Sequence, residues 1–159
     1  MPLRPTLRHL ATKARPQRNT ICRQSPVVLT PILATEDPYR TAAIFCRAGW
    51  QLEFETPPDS GDPLACVSLA GSKVLLGTSE PQFLSPEARP FRGAGVEFHL
   101  EVPWGEIEAI HLAHQAVDPS ASALEDRSWG ERAFHVTLGG YRFLIASPLS
   151  DSPEADPTA

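Results

Sequence analysis

Two adjacent glycines, Gly139-Gly140, separate two runs of strand-like alternation, and this pair restricts the fold more than any other feature of the chain. A two-residue hairpin turn needs φ > 0 at both positions, which glycine adopts without steric cost. The pattern predicts an antiparallel hairpin. Its first strand places Arg132, Phe134 and Val136 on one face and Ala133, His135 and Thr137 on the other. Trp129-Gly130 stands at the entrance to that hairpin. The glycine lets the backbone turn sharply there. The indole ring can then either lie across the mouth of a cavity or seal the edge of the core.

The rest of the chain reads as two similar halves. In the first, Val27 to Ala34 is a strand. Asp37 is an N-cap with Pro38 at the first helical position, and the helix ends near Gly49. Trp50, Leu52 and Phe54 alternate with polar residues, a Pro- and Gly-containing loop follows, and Leu64–Leu69 and Lys73–Gly77 form two short strands. In the second half, Val96, Phe98, Leu100 and Val102 share one strand face, and Glu97, His99 and Glu101 share the other. Trp104 to His114 has helical spacing, a short strand lies around Ala121 to Glu125, and the glycine hairpin closes the unit. The expected fold is therefore α+β, two βαβββ modules at about 27–78 and 95–147 forming a curved mixed sheet around a cleft. The domain spans 26–148, between a basic tail (1–25) and an acidic tail (149–159), both expected to be disordered.

Charge and cysteines bound the function. The chain has 159 residues and a formal net charge of −5. Residues 1–24 carry six basic side chains and no acid. The remainder carries 8 basic and 19 acidic residues, a formal −11. Such a body repels nucleic acid and favours a cationic partner; ordinary solubility charge is the plainer explanation. No apolar run approaches the roughly 20 residues that span a bilayer. The basic tail has no hydrophobic h-region, so it does not read as a secretory signal; its composition is compatible with a transit peptide, but a flexible tail is the preferred reading. Cys22, Cys46 and Cys66 are odd in number and lack CxxC spacing, which points to buried thiols in a reducing, cytoplasmic setting. Ser68 lies in no G-x-S-x-G elbow and no glycine-rich phosphate loop is present, so no catalytic residue is assigned.

Four stretches in order resemble the vicinal oxygen chelate superfamily, the group of glyoxalases, extradiol dioxygenases and fosfomycin- and bleomycin-resistance proteins. They are Pro31 to Asp37, Ile44-Phe-Cys-Arg-Ala-Gly-Trp50, Gly95 to Val102, and Trp129-Gly-Glu-Arg-Ala-Phe134 through Phe143. The resemblance implies the fold given above. In the enzymes of this superfamily a metal is held by His or Glu from the first strand of each module and by Glu from the last strands. By register those positions fall here on Thr30, Glu97 (with His99 two residues on) and Leu144. Threonine and leucine leave too few donors for a catalytic ion. No metal or other cofactor is therefore expected, although a divalent ion on Glu97 and His99 stays open.

A metal-free member is most similar to the bleomycin-resistance-type binders, which are dimers that sequester a drug. That similarity implies a small-molecule cleft lined by Phe54, Glu97, His99, Trp129, Arg132 and Phe134. Phe54 and Trp129 would stack on a planar group, and Glu97, Glu101 and Glu53 would meet a cationic, aromatic ligand. Arg132 would pair with Glu97 or hold an anionic group, and His135 would face the helix. The implied function is antibiotic-like binding and resistance by sequestration, in a homodimer. A metal-dependent lyase or dioxygenase is the alternative, and a degenerate domain with an interaction role is a third. Pro57-Pro58-Asp59 and the Thr137-Leu-Gly-Gly140 turn depart from the bleomycin-binder pattern, which puts bleomycin itself, but not a cleft, in doubt.

Overall fold

In a computed structural model the described residues are 28–80 and 84–150. The basic tail, Cys22 and all but two residues of the acidic tail lie outside them. The elements are β1 (Ile32–Thr35), α1 (Pro38–Arg47), β2 (Gln51–Glu55), β3 (Leu64–Leu69), β4 (Ser72–Thr78), a 3-10 turn (Arg89–Phe91), β5 (Glu97–Glu101), α2 (Ile107–Gln115), β6 (Glu125–Asp126), β7 (Glu131–Leu138) and β8 (Tyr141–Pro148). They form two four-stranded sheets of identical order, β1-β4-β3-β2 and β5-β8-β7-β6. Within each, the first strand runs parallel to the last, and the other pairings are antiparallel. This is the βαβββ repeat read from the sequence. No helix among these residues is long and apolar enough to cross a membrane.

Local chemistry sets the boundaries. Asp37 caps α1, its Oδ1 accepting the Arg40 amide at 3.0 Å, with Pro38 behind it. Gly49 ends the helix at φ +94°. At the hairpin, Gly139 and Gly140 adopt φ +60° and +88°, and a Cβ on Gly139 would stand 2.9 Å from the Thr41 methyl of α1. Only glycine meets both demands there. The expected β2 alternation is broken: a bulge between Leu52 and Phe54 places Leu52 opposite Val67 and Phe54 opposite Cys66. Trp50 is buried, whereas Leu52 and Phe54 are exposed.

One continuous core joins the modules. Phe45 of α1, Trp50 and Phe143 of β8 meet edge to face, with ring centroids 5.0–5.8 Å apart. Beside them Trp50 Nε1–H donates to His114 Nε2 of α2 at 3.1 Å, and His114 Nδ1 lies 2.7 Å from the Ile110 carbonyl. An indole N–H can only donate, so Nε2 carries a lone pair and Nδ1 carries the proton. The imidazole, wholly buried, is thus held neutral, and desolvation pushes its pKa below 6.5. In the unfolded chain the same group takes up a proton near pH 6.5. Stability is therefore full above that pH and falls as pH drops toward the folded-state pKa, by at most about 1.4 kcal/mol per pH unit. Urea unfolding at pH 7.5 and 5.5 is expected to show this slope, and His114→Gln, which still can accept from Trp50, is expected to flatten it. An equal slope in the variant would assign the pH dependence to other groups.

Candidate functional site

Register sorts the second sheet into two faces. Phe98, Leu100, Phe134, Val136, Phe143 and Ile145 share the helix face and are mostly buried. Glu97, His99, Glu131, His135, Arg142 and Leu144 share the opposite, open face. His99, Leu144 and His135 form one row across β5, β8 and β7. The apolar parity of each strand packs against α1 and α2, and the polar parity is left outside.

Two carboxylate–imidazole pairs occupy the open face. His135 Nδ1 lies 2.8 Å from Glu97 Oε1; Arg142 forms an ion pair with the same oxygen at 2.7 Å, and its Nε–H points to His135 Nδ1 at 3.4 Å. His99 Nε2 lies 3.2 Å from Glu131 Oε2, which also accepts the Trp129 indole N–H at 2.6 Å. Glu131 accepts, so the His99 imidazole donates through Nε2; His135 Nδ1 donates to Glu97 in one tautomer and accepts the Arg142 Nε–H in the other. In the neutral ring Nδ1 of His99 then offers a lone pair. Trp129 is 61% exposed at the entrance to β7, so its ring does not seal the core. The Arg127 guanidinium stands 6.0 Å from its centroid. The face is rich in acceptors and carries one flat ring.

Of the six residues expected to line a cleft, the structure brings three together here: Glu97, His99 and Trp129. Phe54 is half exposed but stands on the open face of the first sheet, opposite Cys66 and near Leu75 in register. Close to it Glu53 accepts from the Ser68 hydroxyl (2.6 Å) and Lys73 (3.2 Å), which hold its carboxyl below the usual range. Cys66 is buried, and desolvation pushes its thiol pKa up. Arg132 and Phe134 stand on the other face of β7. Phe134 is fully buried against the rings of His111 and His114 in α2. Arg132, of the same parity, bonds to Asp126 at 2.6 Å and Glu108 at 2.9 Å, not to Glu97. His135, expected to face the helix, is the residue that pairs with Glu97. Sequence reasoning missed His135, Glu131 and Arg142. The signal was available, because Glu131, His135 and Thr137 are the polar parity of their strand.

No protein-family model and no curated protein matches the sequence. The similarity lies in structure. TioX from Micromonospora sp. ML1 superposes with a TM-score of 0.57 at 20% identity, over 80% of this chain and 100% of that one. A bleomycin-binding protein complexed with bleomycin gives a TM-score of 0.52 at 18% identity, over 77% and 98%. FosX, a fosfomycin resistance protein from Listeria monocytogenes complexed with Mn(II), gives 0.58 at 12% identity, over 79% and 94%. The chain has the glyoxalase/bleomycin-resistance fold. At these identities the likeness to vicinal oxygen chelate structures establishes the fold and nothing finer.

The fold's enzymes raise the question of a metal. Leu144, in the row between His99 and His135, has no donor atom. Glu97 Oε1 is already taken by His135 and Arg142. Among the described residues no three His, Cys, Asp or Glu side chains converge as a metal set would. The donors present do not fit the superfamily's metal site.

Proposed function

We propose that the protein binds a cationic, aromatic, antibiotic-like small molecule on the open face of the second sheet and confers resistance by sequestering it, without a metal and without chemistry. The observation that carries this reading is the acceptor-rich constellation of Glu97, His99, Glu131 and His135 beside the exposed Trp129 ring. A ligand bearing amines, amide N–H groups or hydroxyls on a planar scaffold is complementary to it: donors meet carboxylates and the His99 lone pair, and the scaffold stacks on the indole. The formal −11 of residues 25–159 adds long-range attraction for a cation. Fold neighbours that include a bleomycin-binding protein complexed with bleomycin and a bleomycin resistance determinant support the same reading. It includes a homodimer, supported by the exposed apolar side chains Ile32 and Phe54 on the open face of the first sheet.

The test is a thermal-shift screen of chelator-treated protein against bleomycin-type glycopeptides and other cationic aromatic natural products. A rise in melting temperature without added metal, together with unchanged compound recovered afterwards, is the expected result. Stabilisation that needs iron, manganese or zinc, or conversion of the compound, would replace sequestration with metal-dependent enzymology.

A further inference from the structure

Next to the open face, and outside the group just described except for His99, a cavity of about 560 Å³ runs between the modules. One wall is the residues before β1, the β3–β4 turn and the start of β4, including Leu29, Lys73 and Val74; the other is β5 and β8, including Phe98, His99 and Phe143. Val74 and Phe143 are core side chains, 4% and 1% exposed, so these parts of the wall are held by packing. Apolar surface dominates the lining. A volume of this size suits a small molecule, for which pockets run from about 300 to 1,000 Å³, and is too small for a macromolecular segment with its own fold.

The polar groups at the cavity decide which small molecule fits. Lys73 is neutralised by Glu53 at 3.2 Å. His99 is fixed by Glu131, so that the neutral ring's Nδ1 is an acceptor. We infer that this cavity is a binding site for the apolar portion of a ligand carrying a hydrogen-bond donor, a hydroxyl or N–H on an aromatic or alicyclic body, with the donor meeting the His99 imidazole. The inference rests on the sequestration reading and deepens it: His99 joins the cavity to the acceptor-rich face, so one ligand can place its apolar body in the cavity and its polar donors on that face. Burial of apolar surface supplies the affinity, and the His99 acceptor supplies the choice.

The test uses the full-length protein and two probes of nearly equal apolar body, 2-naphthol and 2-methoxynaphthalene. The first carries a donor and the second does not. Saturable one-to-one binding is expected by titration calorimetry, with 2-naphthol roughly fivefold to tenfold the tighter. Ser72, exposed and part of the lining, can be enlarged without touching the core. Ser72→Trp is expected to weaken both probes by more than about tenfold. His99→Phe is expected to erase the preference for 2-naphthol while retaining binding. Amide chemical-shift perturbation confirms that each variant is folded and shows where the probe lies. Absence of saturable binding, or binding unaffected by Ser72→Trp, would overturn the cavity assignment, and equal affinity for both probes in the natural protein would overturn the donor assignment. If naphthol binds but no cationic aromatic compound raises the melting temperature, the sequestration reading fails and the cavity stands. The converse result removes the cavity alone.

Discussion

Replacing Phe143 by alanine is expected to lower unfolding free energy by about 3–5 kcal/mol, a large part of what a domain of this size possesses. The magnitude follows from position. Phe143 is 1% exposed, and its ring meets Phe45 at 5.8 Å, Trp50 at 5.7 Å and Phe98 at 5.4 Å. Phe45 and Trp50 belong to the first module and Phe98 to the second. Truncation removes the transfer free energy of the ring and leaves a void that three aromatic neighbours, each packed elsewhere, cannot close. Phe143→Leu, which fills part of the void, is expected to cost about half as much. Denaturant unfolding followed by tryptophan fluorescence measures both, because Trp50 reports from the same junction. The junction also carries the coupling between modules. A single transition that shifts as a whole is expected for Phe143→Ala. A second transition at unchanged midpoint would mean that one module holds together without the other.

That junction shows what the sequence made legible and what it did not. The strict alternation of Val96 to Val102 placed Glu97, His99 and Glu101 on one face, and register with β8 keeps them there. The helix cap at Asp37 and the glycine turn at 139–140 were legible because each depends on a few neighbouring atoms. The faces of β7 were also legible as two sets, but their assignment was inverted. Periodicity divides a strand into two faces and does not say which one meets the helix. The expectation that Arg132 and Phe134 line the cleft came from a distant resemblance. The physics of the residues themselves pointed the other way: Phe134, Val136 and Leu138 are three large apolar side chains of one parity, and such a parity is buried. Arg132 shares that parity at the strand end, where its guanidinium reaches past the core to Asp126 and Glu108. The β2 bulge was not legible at all, since the extra residue leaves the local alternation of Trp50, Leu52 and Phe54 intact on paper. His114 is a parallel case: spacing placed it on a helix, and only the tertiary approach of Trp50 made it a buried acceptor.

Replacing Trp129 by alanine is expected to weaken the binding of a cationic aromatic ligand by a factor of roughly 30 or more, corresponding to about 2 kcal/mol, while shifting the melting temperature little. The two effects separate because Trp129 is 61% exposed and stands outside the core, so few folded-state contacts are lost with the ring. What is lost is the flat surface available for stacking and the N–H that orients Glu131. Two further variants divide those contributions. Trp129→Phe keeps an aromatic face but donates nothing to Glu131, so it is expected to retain stacking while loosening the carboxylate that positions His99. Glu131→Gln keeps the geometry, still accepts through its carbonyl oxygen and removes the negative charge. Its loss of affinity is expected to grow with ligand charge and to shrink at high salt, whereas the Trp129→Ala loss is expected to be nearly independent of salt. Affinities measured at two salt concentrations for the three variants therefore distinguish stacking from charge. If Trp129→Ala leaves affinity unchanged, the indole is outside the site, and recognition must be carried by the two imidazole–carboxylate pairs and the apolar cavity beside them.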